Sequence, residues 1–257
     1  MRIKQFLKKK LPNFLLLFLN KLLLVKRILF WKYRVINCPI CEKPTKTFYS
    51  GLFPWIFLTC SGCYSLGRQR IIANYLTNNK KKIEIKSVLH FAAETCLVDF
   101  IHKNIDVDRY DKVDFHPEGK NFIPDQGSLP IDIENIDKVY FKKYDLVICN
   151  HVLEHVNFIK AIPNLKKLVK KNGYIFLTFP IIESWEKNYI NEKITSYEDR
   201  TLHFQQFDHL QLFGKEIKSY LSCENFSLIE HIVFGEDTVK YGIAQGETLF
   251  ILKRNNK

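Results

Sequence analysis

The stretch YDLVICNHVLEHV, residues 144–156, decides how the rest of the chain folds. Leu146, Val147 and Ile148 make an unbroken apolar run, the pattern of a strand covered on both faces. The helical segment FIKAIPNLKKLVKKNG (158–173) follows, and its Lys-rich end and Gly173 open another strand, GYIFLTFP (173–180). Upstream, KSVLHFAAE (86–94) is an apolar strand running into small residues, and YDKVDFHP (110–117) is a short strand ending in an acid. RQRIIANYLTNN (68–79) reads as a short helix. Downstream, FDHLQLFGKEIKSYLSCENF (207–226) reads as helix, and SLIEHIVFG (227–235) and ETLFILKR (247–254) as closing strands. Strands alternating with helices imply an α/β fold, a mostly parallel sheet with helices on both faces. Such sheets bind ligands beyond the C-terminal ends of their strands, so candidate site residues follow each strand directly.

The 257 residues suffice for one large domain and an appendage, and the net charge is +12. Ten of the 39 Lys and Arg residues lie in the first 37 positions, which hold no acid; the remainder carries 29 basic against 27 acidic residues. The body is therefore nearly neutral, and an anionic surface is expected to meet the chain only at its N-terminal end. Phosphate contacts need Lys and Arg spread over a binding face, so nucleic acid is the less favoured partner.

Seven cysteines are present, four of them as Cys38-x2-Cys41 and Cys60-x2-Cys63, while Cys96, Cys149 and Cys223 stand alone. A C-x-x-C turn aims two thiolates at one point, and two such turns supply the tetrahedral ligand set of structural Zn²⁺. Strand-forming TKTFYS and WIFLT between the pairs make this a zinc ribbon, with Pro39 and Gly62 inside the turns. An odd cysteine count with one metal site, and no small-residue cleavage site after the apolar LPNFLLLFLN, suits a reducing cytoplasm. The expected division is a basic apolar arm (1–35), the ribbon (36–70) and an α/β body (71–257). Within the arm, Asn13 to Trp31 lacks Gly and Pro and reads as a helix. Three placements are open: in a membrane interface, with lysines on anionic headgroups at the inner face; packed on the body or a second copy; or spanning the bilayer. Lys21, Lys26 and Arg27 weigh against spanning, at about 2.5–3.5 kcal/mol each in mid-bilayer.

The order strand, acid, strand, NHVLEHV, helix, KKNGYIFLTFP, FDHLQLFGKEI and two closing strands resembles class I S-adenosylmethionine-dependent methyltransferases over residues 85–253. The branch it is most similar to carries LHFAxE in place of a glycine-rich loop and a Q-x-DH segment; here these are LHFAAE (89–94) and QFDH (206–209). The resemblance implies a Rossmann-like, seven-stranded sheet. It also implies S-adenosyl-L-methionine as cofactor and an acceptor among glycans, because members of the branch stand near surface polysaccharide functions.

The resemblance places His90, Phe91, Ala92, Ala93 and Glu94 in the loop under the methionine part of the cofactor. Glu94 would pair with the ammonium group, or else serve as a helix-start acid. Asp114 would accept from the ribose hydroxyls, since a carboxylate takes two donors at once. Asp132 and Ile133 would flank adenine, with Glu134 and Asp137 as rivals for the acid. Asn150 and His151 would lie beside the methyl group, and His155, one helical turn beyond His151 and on the same face, would brace the cofactor loop. Asp208 and His209 form the pair suited to taking a hydroxyl proton, or else an ordinary helix start. The expected activity is methylation of a sugar or lipid-linked glycan hydroxyl. The alternatives are an RNA methyltransferase gripping its substrate with the ribbon, and a non-catalytic scaffold of the same fold.

Overall fold

The computed structural model describes residues 34–47, 59–60, 62–114 and 127–255. The expected arm helix (13–31) and the WIFLT strand lie outside these residues, as do the last residues of TKTFYS and of YDKVDFHP. Strands β1 (Arg34–Asn37) and β2 (Pro44–Thr47) pair antiparallel around the first cysteine turn. Helix α1 (Gly67–Asn79) leads into the main sheet. That sheet comprises β3 (Ser87–Phe91), β4 (Arg109–Val113), β5 (Tyr144–Asn150), β6 (Val169–Thr178), β9 (Phe226–Ile232) and β10 (Thr248–Arg254). Between them run α2 (Thr95–Asn104), α3 (Phe158–Leu168), β7 (Tyr189–Ile190), α4 (Tyr197–Phe204), β8 (Gln211–Leu212), α5 (Ile217–Leu221) and α6 (Glu236–Tyr241).

The strand order is β4-β3-β5-β6-β10-β9, parallel except for β10, which runs antiparallel to both neighbours. The main sheet has six strands among the described residues, where the family resemblance implies seven. The missing edge strand is reduced to one parallel bridge, Val113 to Leu129. Leu129 bonds on either side of Val113 along one edge of β4, giving its N–H to Lys112 O at 2.7 Å and accepting from Asp114 N at 3.2 Å. The next N–H on that side, of Ile131, turns back onto Leu129 O at 3.0 Å, and the ladder stops there.

Alternation along the strands divides the core into two layers. Leu89, Val147, Ile175 and Phe250 point to one face, under α3 and α5. Val88, Ile148, Phe176 and Ile251 point to the other, where α1 and α2 pack together with Cys38, Ile40 and Cys60. Both faces are thus covered, as the unbroken apolar run in β5 requires.

Two helical expectations are corrected. The segment 158–173 is helical only to Leu168; from Val169 the chain is already strand, with a register shift opposite Tyr144 and Leu146. Gly173 permits this bulge, because a Cβ there would sit 2.5 Å from Val169 Cγ1 and 2.9 Å from Asp145 O. The segment 207–226 forms only the short α5, preceded by β8. Gly214 passes so close to the Lys187 and Trp185 carbonyls that the chain is pinned there, not coiled.

Candidate active site and cysteine cluster

A cleft of about 250 Å³ opens beyond the C-terminal ends of β3 and β4. Phe91, Ala92, Asp114, Asp132 and Ile133, all predicted cofactor contacts, line it, together with Val113, Ile131, Glu134, Val152 and Val156. Its walls are apolar and its rim carries three carboxylates, a fit for a flat heterocycle bearing hydroxyl and amino groups. Ala92 makes the sharp turn out of β3, with φ 49° and its N–H on Val113 O at 2.9 Å. This left-handed conformation is where a glycine-rich loop would place glycine. Asp132 closes its own turn by accepting from Glu134 N at 2.8 Å. Asp137 instead caps a 3-10 turn at Lys138–Tyr140, and Glu134 accepts from Asn157 N at 2.8 Å.

Behind the cleft lies a chain of buried polar groups. His90 is completely buried, with Nδ1 2.7 Å from the Tyr110 hydroxyl and Nε2 3.0 Å from Glu94 Oε2. Glu94 also accepts from Gln69 Nε2 at 2.8 Å and Asn150 Nδ2 at 3.3 Å, while Thr178 Oγ1 donates to Asn150 Oδ1 at 3.0 Å. His90 and Asn150 therefore support Glu94 from beneath and do not line the cleft; Ala93 does not line it either. Burial works against Glu94 ionisation, but the His90, Gln69 and Arg68 interactions outweigh it and hold the carboxyl below its ordinary value. Glu94 occupies the N-cap position of α2 without a side-chain cap bond, so its carboxylate is committed to this network and not to the helix end.

The NHVLEHV segment departs from the expected helix. His151 has φ 48°, and only Leu153–His155 form a 3-10 turn, so His151 and His155 do not share a helical face. His151 Nδ1 faces Glu154 Oε1 at 3.2 Å, and His155 Nδ1 faces Asp208 Oδ2 at 3.3 Å. Gln211 fastens the two segments by donating to Leu153 O at 2.6 Å and Val156 O at 2.8 Å, and Leu210 N reaches Glu154 O at 2.8 Å. The 206–212 segment, far away in sequence, is thereby held against the 151–156 loop. His155 and His209 meet edge to face, ring centroids 4.8 Å apart. Burial, and then the neighbouring His155, lower the His209 pKa.

The four cysteines predicted to bind zinc come together, with sulfurs of Cys38 and Cys63 3.7 Å apart and those of Cys41 and Cys60 3.6 Å apart. A tetrahedral ion with Zn–S bonds of about 2.3 Å needs sulfur separations of about 3.8 Å, so the donor set fits zinc. The two turns repeat one geometry. Glu42 N bonds Cys38 O at 2.9 Å and Tyr64 N bonds Cys60 O at 2.8 Å, with Glu42 and Tyr64 at φ 58° and 59°. Gly62 N also points at Cys60 Sγ from 3.3 Å. Arg70 is almost fully buried beside this cluster, donating to Ser65 O and Oγ and to Gly242 O. A guanidinium there offsets the negative charge that four thiolates would bring.

Sequence reasoning missed Gln69, Tyr110, Thr178, Gln211 and Glu154. The first four carry no motif, and their parts depend on which strand ends the sheet brings together. Glu154 stood in plain view inside HVLEH, and its almost complete burial is what marks it.

The methyltransferase domain family matches residues 81–231, more than half of the chain, and the chain belongs to that family. Its fold is that of a class I S-adenosylmethionine-dependent methyltransferase. No curated protein matches. Similar solved structures include the CurJ carbon methyltransferase, at 13% identity and TM-score 0.48, covering 74% of this chain and 54% of that one. The chain thus spans about half the length of that protein. A methyltransferase from Archaeoglobus fulgidus is 14% identical with TM-score 0.45, covering 72% and 94% of the two chains. The 1,6-didemethyltoxoflavin-N1-methyltransferase of Burkholderia thailandensis is 12% identical with TM-score 0.47, covering 74% and 79%.

Proposed function

We propose that this methyltransferase acts on a hydroxyl of a sugar or lipid-linked glycan, with zinc in the four-cysteine ribbon as a structural ion. The observation that carries the cofactor assignment is the cleft in which Phe91, Ala92, Asp114, Asp132 and Ile133 converge. Asp114 takes the ribose hydroxyls, Asp132 with Ile133 the adenine, and Glu94 the ammonium group. S-adenosylmethionine supplies, when bound, a methyl group already activated on a sulfonium centre. The protein's work is then to hold the acceptor in line and receive its proton, and positioning contributes much of the rate. His151, at 3.2 Å from the Glu154 carboxylate, is the proton acceptor. Asp208 and His209 complete the polar edge on which the acceptor sits.

The near-neutral body favours an uncharged or weakly charged acceptor over RNA. The basic arm (1–35) is assigned to an anionic membrane surface on the cytoplasmic side, where lipid-linked intermediates would be presented. Among the described residues no helix is long and apolar enough to cross a membrane. The test is methyl transfer from radiolabelled S-adenosylmethionine to membrane-extracted lipid-linked oligosaccharides and to bulk RNA, side by side. Label in the glycan fraction, lost in His151→Ala, is the expected result; label in RNA alone would overturn the acceptor assignment.

A further inference from the structure

The loop beside the cleft contains a buried carboxylate that the polar network behind the cleft leaves unsatisfied. Glu154 is 1% exposed, and neither carboxylate oxygen receives a hydrogen bond. The nearest ring nitrogen to it is His151 Nδ1 at 3.2 Å, outside bonding geometry. A carboxylate buried without donors is strongly destabilising unless a cation compensates it.

Two imidazoles stand next to it. Donor atoms of Glu154, His155 and His209 all lie within 4.8 Å of one another. Both rings are held from their outer nitrogen. His209 Nδ1 lies 3.0 Å from Phe204 O, and His155 Nδ1 lies 3.3 Å from Asp208 O and from Asp208 Oδ2. A carbonyl accepts only from a protonated nitrogen, so in the neutral ring the hydrogen sits on Nδ1 and the lone pair on Nε2. Metal-binding histidines are held in this way, the second nitrogen fixed on a carbonyl or carboxylate.

We propose that Glu154, His155 and His209 form a binding site for a divalent first-row transition ion, distinct from the four-cysteine cluster. Two imidazoles and one carboxylate suit Mn²⁺, Co²⁺ or Zn²⁺ and leave coordination positions open. Small side-chain rotations bring the three donors to bonds of about 2.0–2.2 Å. Val152 and Val156, on either side of this turn, line the cofactor cleft, and the His155 side chain keeps 28% of its surface accessible. The open positions therefore border the cleft, where they can take an acceptor oxygen and lower its pKa. That last statement rests on the methyl-transfer reading; the binding of the ion does not.

Zinc-loaded protein is titrated with Mn²⁺, and free Mn²⁺ is counted by its electron paramagnetic resonance signal. Manganese is chosen because soft thiolates discriminate against it. The proposal expects one Mn²⁺ per chain beyond the zinc already bound, with affinity reduced about tenfold or more in Glu154→Gln and in His209→Gln. It also expects modulation of the spin echo by directly bound histidine nitrogen in the wild type, a readout that stands even if a variant does not fold. No bound Mn²⁺ at millimolar concentration, no nitrogen modulation, or equal binding by the folded variants would overturn the site. S-adenosylhomocysteine binding is measured on the same samples. Ion binding without cofactor binding overturns the methyltransferase reading and leaves the site standing; cofactor binding without ion binding does the reverse.

Discussion

Ala92 and Asp145 show what single residues do at the two ends of the sheet. Ala92 holds a left-handed backbone that costs an L-residue about 1–2 kcal/mol, part of which glycine would recover against its own greater entropy loss. Ala92→Gly should therefore stabilise the fold by up to about 1 kcal/mol in urea unfolding. It also removes a methyl group from the cleft wall, so cofactor affinity should change little. Asp145, at the opposite end of the sheet, is a structural counterpart to Glu94. Its carboxylate accepts from Ser87 N at 2.8 Å, Ser87 Oγ at 2.7 Å and Lys86 N at 3.1 Å, and pairs with Lys170 at 3.0 Å. Burial raises its pKa, but the Ser87 and Lys170 bonds prevail and hold it below the ordinary aspartate value. A depressed carboxyl contributes stability that is fully present above its unfolded pKa and lost as pH falls through the folded one. Asp145→Asn should cost about 1–3 kcal/mol at neutral pH, and the difference from wild type should shrink as acid unfolding is followed below pH about 4.

At the scale of elements, the short segments around Gly214 and Gln211 matter more than the long helices, because they carry the far half of the site to the near half. A Cβ at Gly214 would meet the Lys187 carbonyl oxygen and lie 2.8 Å from that of Trp185. Gly214→Ala should cost about 1–3 kcal/mol, read as a lower urea midpoint at unchanged slope. The strands of the main sheet and the helices 68–79 and 158–168 were legible because apolar runs and periodicity are local properties. The 207–226 segment was not: its apolar residues have helical spacing, yet Gly214, Gln211 and the pairing of β7 with β8 bind it to distant backbone. The seventh strand was implied by resemblance alone, and the turn of Ile131 N–H back onto Leu129 O limits it to a bridge. Likewise His151 and His155 were one turn apart only on paper, since the left-handed His151 breaks the helix before it begins.

Across the whole molecule, the four-cysteine cluster and the cleft lie on one continuous framework. Cys38 and Cys60 pack in the same apolar layer as Ile71 and Ile72 of α1, and Gln69 of that helix donates to Glu94. Releasing an ion from the cluster should therefore disturb the cleft. Chelation of natively purified protein should liberate one zinc per chain, lower the melting temperature in calorimetry, and weaken cofactor binding in parallel. Protein that melts identically with and without chelator would refute the structural zinc. Phe91, Ala92 and Asp114 were legible because they end or directly follow a strand, where the sheet leaves side chains for ligands, whereas Asp132 and Ile133 were placed by the family resemblance. Their buried supports Gln69, Tyr110 and Thr178 were not, since only the assembled sheet brings them to Glu94, His90 and Asn150. The most direct test of the cofactor site is calorimetric titration of zinc-loaded protein with S-adenosylhomocysteine, alongside Glu94→Gln and Asp114→Asn. Micromolar binding, weakened about tenfold or more in each variant, is the expected result, equivalent to about 1.4 kcal/mol per lost contact. Absence of binding heat and of a thermal shift in folded wild-type protein, or full affinity in both variants, would contradict it.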